Sequence, residues 1–178
     1  DGASNQGTTF EALNLATVWK LPCVFVAENN GYAEATAASF SVSCKDISTR
    51  AEGFGMPGVT VDGHDFFAVH AATAEAVERA RNGGGPTLIE CKLDRFFGHF
   101  EGDNQNYRAA NEIKDVRENK DCIKRFAKAL KSDYAVTDTD LLAIDDEVQA
   151  VIDDAVAKAV AAPEPGADDL LSDVYIRY

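Results

Sequence analysis

Two short stretches of the 178-residue chain hold residue types suited to metal chemistry, Asp1-Gly2 and Asn29-Asn30-Gly31-Tyr32. Asn30 follows Asp1 by 29 positions, room for one helix and one strand. In a right-handed strand–helix–strand unit, two positions that each follow a strand fall on the same sheet edge. Open α/β sheets bind ligands at that edge. The arrangement requires a strand ahead of Asp1, outside this sequence. An Asp carboxylate, an Asn carbonyl oxygen and one backbone carbonyl would make a hard-oxygen site there. Mg²⁺ takes few protein ligands when phosphates supply others. Gly2 lets the backbone approach closely, and amides opening the following helix can hold phosphate oxygens. The spacing therefore suits a Mg²⁺-diphosphate clamp. The plainer reading of Asn29-Asn30-Gly31 is turn chemistry, with Gly31 at positive φ.

The elements that must position these residues follow from pattern. Ser4 or Asn5 caps a predicted helix over residues 5–19, apolar nearly all round and so expected to be buried against a sheet or another subunit. Residues 23–27 are an unbroken apolar run, as in a parallel strand covered on both faces. Residues 33–40 are small and irregular, and 47–52 form a short helix. A second strand spans 59–61, a helix 65–81, and a third strand 87–93 after a glycine-rich stop. Residues 95–108 read as a loop, and helices follow at 122–131 and 138–162. The alternation of strand and helix predicts an α/β fold with a mostly parallel sheet flanked by helices, ending in a helical tail.

The formal net charge of −13, without Lys/Arg clusters, argues against nucleic acid or an anionic membrane surface as partner. Cys23, Cys44, Cys91 and Cys122 are scattered, as expected for reduced thiols in a cytoplasmic protein. No run of eighteen apolar residues suggests a membrane span. The opening Asp-Gly-Ala, without an initiator Met, suggests a piece of a longer protein.

Asp1-Gly2-Ala3 followed by Glu28-Asn29-Asn30 resembles the thiamine diphosphate motif, Gly-Asp-Gly and about thirty residues later Asn-Asn, without its first Gly. The stretch "DGASNQGTTFEALNLATVWKLPCVFVAENNGYAEAT" is similar to the alpha subunits of the thiamine diphosphate-dependent dehydrogenases of 2-oxo acids and acetoin. "GHFEGD" at 98–103 with Tyr107-Arg108, and "DLLSDVY" at 169–175, resemble the acetoin branch most.

The resemblance implies the diphosphate-binding half of the thiamine diphosphate-binding fold. Residues 1–110 would form the thiamine diphosphate- and Mg²⁺-binding region, lacking the part that normally precedes it, and 111–178 a helical extension. It implies that Asp1 and the Asn30 side chain bind Mg²⁺, with the Tyr32 backbone carbonyl. Gly2 and Ala3 would line the diphosphate, and His99 would reach the diphosphate and the reacting centre. Kinase-regulated relatives carry a Ser where this chain has Phe100, so regulation there is not expected. The implied reaction cleaves acetoin to acetaldehyde and an acetyl unit, which passes to a lipoyl or artificial acceptor. A beta subunit would supply the Glu that activates the cofactor, in an α2β2 assembly served by a lipoyl-bearing acyltransferase. A pyruvate or branched-chain 2-oxo acid dehydrogenase alpha subunit shares every one of these cofactor residues. A truncated, non-catalytic scaffold is the alternative of another class.

Other residues carry plainer expectations. Asn29 is a turn amide, and Glu28 either a strand-end charge or a subunit contact. Glu101 and Asp103 are solvated loop acids, or else select substrate. Phe96, Phe97 and Phe100 pack, and His64 and His70 have no role.

Overall fold

Helix and strand alternate as the pattern expects. The computed structural model describes residues 1–170 and residue 172. Part of the 169–175 motif, residue 171 and residues 173–175, therefore lies outside the described residues. Contacts divide the chain into two units, Asp1–Ala129 and Leu130–Tyr178.

In the first unit, a short 3-10 helix Ala3–Asn5 leads into α1 (Gly7–Val18) and β1 (Val24–Asn29). A hairpin of β2 (Tyr32–Ala33) and β3 (Thr36–Ala37) follows, then α2 (Ala38–Ser41) and a 3-10 helix Ile47–Phe54. Next come β4 (Gly58–Asp62), α3 (Phe66–Arg81), β5 (Thr87–Lys92), α4 (Glu112–Asn119) and α5 (Cys122–Asp133), which runs into the second unit.

The main sheet is parallel, in the order β1-β5-β4. Strand β5 is the middle strand, and Thr87, Leu88, Ile89, Glu90 and Cys91 are all buried. Side chains alternate along a strand. Leu88 accordingly packs with Leu13, Ala51 and Met56 on one face, while Ile89 and Cys91 pack with Ala76 on the other. The register pairs Asn29 and Asp62 each with Lys92, so the three strands end together at one edge. Helix α3 starts at Asp65, whose carboxylate accepts the amides of Phe67 (2.9 Å) and Ala68 (3.2 Å).

Helix α1 buries Leu13 and Ala16, while Val18 and Trp19 stand 67% and 64% exposed in the single chain. A twelve-residue helix resting on one layer covers only the stripe that faces it. One expectation needs correction: residues 33–40 are not irregular, because the hairpin and α2 occupy most of them. Helix α4 falls within the helical extension expected after residue 110; it is rich in charge and buries only Val116.

In the second unit, α6 (Asp138–Ala161) opens with a capping box in which Thr137 and Asp140 bond reciprocally. Its apolar stripe lies open in the single chain: Ile144, Val148, Val151 and Ile152 are all exposed. No helix among the described residues is long and apolar enough to cross a membrane. All four cysteines are free, and burial pushes the Cys91 thiol up.

Ile89 is wholly buried in the middle strand. Replacing it with Ala should lower the unfolding free energy by about 2–5 kcal/mol, read from urea denaturation. A change below about 1 kcal/mol would mean that this layer repacks freely.

Candidate cofactor and metal site

Strand β1 runs straight into the amide pair. The Asn29 side chain is bonded at both ends: Nδ2 donates to Glu90 Oε1 (2.7 Å) and Oδ1 accepts from the Gly31 amide (3.2 Å). One residue on, Asn30 Oδ1 accepts from the Tyr32 amide (3.1 Å). Two overlapping Asx turns thus reverse the chain, with Gly31 at φ +83° between them. The Gly31 carbonyl accepts from Ala38 (2.8 Å), which ties the hairpin to its own base. Asn29 is a structural amide, as expected, and Asn30 keeps one carbonyl lone pair uncommitted to this turn.

The start of the chain packs against this hairpin. A Cβ built on Gly2 would lie 2.3 Å from the Ala33 Cβ, so only glycine allows the approach. Asp1 Oδ1 accepts from the Gly2 amide (2.7 Å), and the Asp1 carbonyl accepts from Ser4 Oγ (2.6 Å). Its other oxygen, Oδ2, is buried and has no hydrogen-bond partner. A buried carboxylate oxygen without a donor is costly in an isolated chain. A hard cation beside it would satisfy it. Among the described residues, no three His, Cys, Asp or Glu side chains gather as a metal cluster. A trio of one carboxylate, one amide oxygen and one backbone carbonyl falls outside that pattern. Gln6, at the head of α1, makes no side-chain cap. Arg50 fixes the 3-10 turn that holds Ala3, donating to Ser4 O (2.6 Å) and Asn5 Oδ1 (2.7 Å).

His99 lies in the loop after β5 and is exposed. Its imidazole makes no bond among the described residues, while its amide donates to Asp103 Oδ2 (2.8 Å). Asp103 is not the solvated acid expected. Its side chain is 8% exposed, and it also accepts from Gln105 N (2.9 Å) and Tyr107 Oη (2.6 Å). The Tyr107 hydroxyl above all, then the His99 amide, holds the Asp103 carboxyl down to about 2. Burial and the bond to Asp103 push the Tyr107 phenol up.

Arg95 and Tyr107 connect this loop to the hairpin. Arg95 donates to the Glu34 carbonyl (3.1 Å) and to Tyr107 Oη (2.5 Å). The Tyr107 ring lies 5.3 Å from the Tyr32 ring. Tyr32 Oη in turn donates to Glu112 Oε2 (3.0 Å), and the Arg108 guanidinium lies 5.3 Å from the Tyr32 ring centroid. The structure thus packs Gly2 against Ala33, the residue after Tyr32, and links the His99 backbone to Tyr32 through Asp103 and Tyr107.

Sequence reasoning missed Glu90, Arg95 and Glu112, and it named Asp103 and Tyr107 without the bond between them. The signal for Glu90 was a lone acid inside a buried strand. Phe97 and Phe100 do not pack as expected; they are 70% and 60% exposed. The His64 ring lies 3.0 Å from Asp62 and 3.1 Å from Asp94, where it joins two loops at the sheet edge.

The loop anchor has a defined pH range. A depressed Asp103 contributes fully above the ordinary aspartate value of about 3.9 and is lost as pH falls through about 2. A raised Tyr107 contributes below the ordinary tyrosine value of about 10 and is lost only above it. Amide-exchange protection of residue 99, corrected for intrinsic rate, should stay flat between pH 5 and 8. Asp103→Asn should cut that protection by about tenfold; unchanged protection would show that the loop is held elsewhere.

A profile of the dehydrogenase E1 component family matches residues 1–168. The chain is 58% identical over its full length to the alpha subunit of acetoin:2,6-dichlorophenolindophenol oxidoreductase of Cupriavidus necator, covering 54% of that protein. It is 51% identical to the Bacillus subtilis subunit of the same description, over all of this chain and 53% of that one. The pyruvate dehydrogenase E1 component alpha subunit of Rhizobium meliloti is 39% identical, over 99% of this chain and 51% of its own. The chain thus spans about half the length of the curated relatives it matches. On this match and the fold beneath it, the chain belongs to the dehydrogenase E1 component family.

Proposed function

We propose that the chain is the diphosphate-binding half of the alpha subunit of an acetoin dehydrogenase. Residues 1–110 would carry the cofactor site and 111–178 extend it. Membership of the family implies dependence on thiamine diphosphate. The observation that carries the metal reading is the buried, partnerless Asp1 Oδ2 beside the Gly2–Ala33 contact. Identity of 58% to an acetoin enzyme subunit, against 39% to a pyruvate one, favours acetoin as substrate.

In this reading, Asp1, the Asn30 side chain and the Tyr32 carbonyl hold Mg²⁺, and Gly2 and Ala3 line the diphosphate. Mg²⁺ serves as template and charge clamp. Thiamine diphosphate supplies the nucleophilic carbon that makes C–C cleavage beside the substrate carbonyl accessible. His99 passes a proton at the reacting oxygen or donates to the diphosphate, roles an imidazole suits near neutral pH. The exposed Phe97 and Phe100 stand beside His99 in sequence, placed to exclude water when substrate enters. Acetaldehyde would leave, and the remaining two-carbon unit would lose two electrons to reach the acetyl level: the disulfide of a lipoyl group on an acyltransferase partner would take both the electrons and the acetyl, whereas an artificial dye would take only the electrons and water would take the acetyl as acetate. The matched relatives are named as alpha subunits, which supports a beta partner here; the reading takes the assembly to be α2β2 and its compartment to be the cytoplasm.

The test uses the full-length subunit co-expressed with its beta partner. Dye reduction should require thiamine diphosphate and Mg²⁺ and should favour acetoin over pyruvate. Preference for pyruvate would overturn the substrate, and cofactor-independent behaviour the whole reading. His99→Ala should lower kcat by about 10²–10⁴-fold while leaving the Mg²⁺ requirement unchanged. Asp1→Ala should instead raise the Mg²⁺ requirement.

A further inference from the structure

Glu90 is a charged residue type at the centre of the sheet, and its side chain is 0% exposed. Oε1 accepts from Asn29 Nδ2 (2.7 Å), and Oε2 accepts from the Ser48 amide (2.9 Å) and from Thr60 Oγ1 (3.3 Å). The nearest cation is Lys92 Nζ, 4.0 Å from Oε1. Burying such a group in a middle strand is expensive, and an apolar residue there would serve stability as well or better. Its neighbours Leu88 and Ile89 are of that kind.

We infer that Glu90 is a positioning residue for the metal site: it fixes which way the Asn29 amide faces, and Asn29 in turn shapes the turn that presents Asn30 and Tyr32. This rests on the cofactor reading proposed above. An Asn side chain can present oxygen or nitrogen on either side. With Nδ2 committed to Glu90, Oδ1 faces the Gly31 amide, 3.2 Å away. That bond sets the first of the two overlapping turns, and the second, from Asn30 Oδ1 to the Tyr32 amide, begins one residue later. Glu90 thus lies two hydrogen bonds from the backbone that orients two of the three metal ligands.

Glutamine cannot replace it in either orientation. With its amino group toward Ser48, two donors face each other, and a backbone N–H cannot turn away. With its amino group toward Asn29, that amide must turn over, which sets Nδ2 against the Gly31 N–H and opens the turn. Partners that orient metal ligands typically carry about 10–100-fold in metal affinity.

The experiment uses the full-length subunit assembled with its beta partner. Retained thiamine diphosphate is measured by equilibrium dialysis as Mg²⁺ is raised, beside thermal unfolding without metal. Glu90→Gln and Asn29→Ala should each raise the Mg²⁺ concentration for half-maximal retention about tenfold or more, with wild-type capacity at saturation. The double variant should be no worse than the weaker single variant, since both act through one turn. Thr60→Val removes another Glu90 partner and should lower the melting temperature without moving the Mg²⁺ requirement. Lower melting of Glu90→Gln with a wild-type Mg²⁺ requirement would overturn the inference and leave Glu90 a structural residue. If Glu90→Gln does not fold, Asn29→Ala decides: a wild-type requirement overturns the inference, and a raised one supports it. A wild-type assembly that needs no Mg²⁺ would instead sink the cofactor reading itself.

Discussion

One buried carboxylate joins most of the parts that matter here. Glu90 sits on the middle strand and bonds to the end of β1 through Asn29, to the 3-10 helix through Ser48, and to β4 through Thr60. Each bond runs from a donor outside β5 to an acceptor inside it. A carboxylate left without those donors would be intolerable at 0% exposure, so the three elements must arrive in register for the sheet to close. The turn after β1 inherits its geometry from that requirement, and the hairpin inherits its position from the turn.

A second network, built on Asp103, holds the other side of the site. Its carboxylate gathers the His99 amide, the Gln105 amide and the Tyr107 hydroxyl, and Arg95 links Tyr107 to the hairpin carbonyl of Glu34. The Glu90 and Asp103 networks meet at Tyr32, whose amide belongs to the first and whose ring belongs to the second. Both use acceptors inside the chain to fix backbone, leaving Asp1 Oδ2 and the His99 imidazole uncommitted. Groups reserved in this way are the ones a ligand can engage.

Much of this was legible in the sequence because it depends on local rules. The Asp1-to-Asn30 spacing encodes one helix and one strand, and the glycines mark a close approach and a positive φ. Strands β4 and β5 and helix α3 declared themselves by period and by their Gly, Asp and Pro boundaries. The networks were hidden because they depend on distant pairing. Glu90 meets Ser48 across 42 positions and Asn29 across 61, which no local pattern records. Asp103 and Tyr107 are neighbours in sequence, yet a loop of Gly, Asn and Asp reads as solvated until its curl is seen. Helix α4 was legible only as part of a helical extension, without bounds, because only Val116 of its eight residues is buried, too little to produce an apolar stripe. The apolar composition of α1 and α6 gave their secondary structure but not their surroundings, since the stripe of α6 and much of α1 stand exposed.

The most direct measurement is an anomalous-diffraction map of the full-length subunit with its beta partner, grown with thiamine diphosphate and Mn²⁺ in place of Mg²⁺. The expected result is a single peak about 2 Å from Asp1 Oδ2, Asn30 Oδ1 and the Tyr32 carbonyl oxygen. A metal bound elsewhere, or bound without Asp1 Oδ2, would contradict the assignment of that carboxylate as a metal ligand.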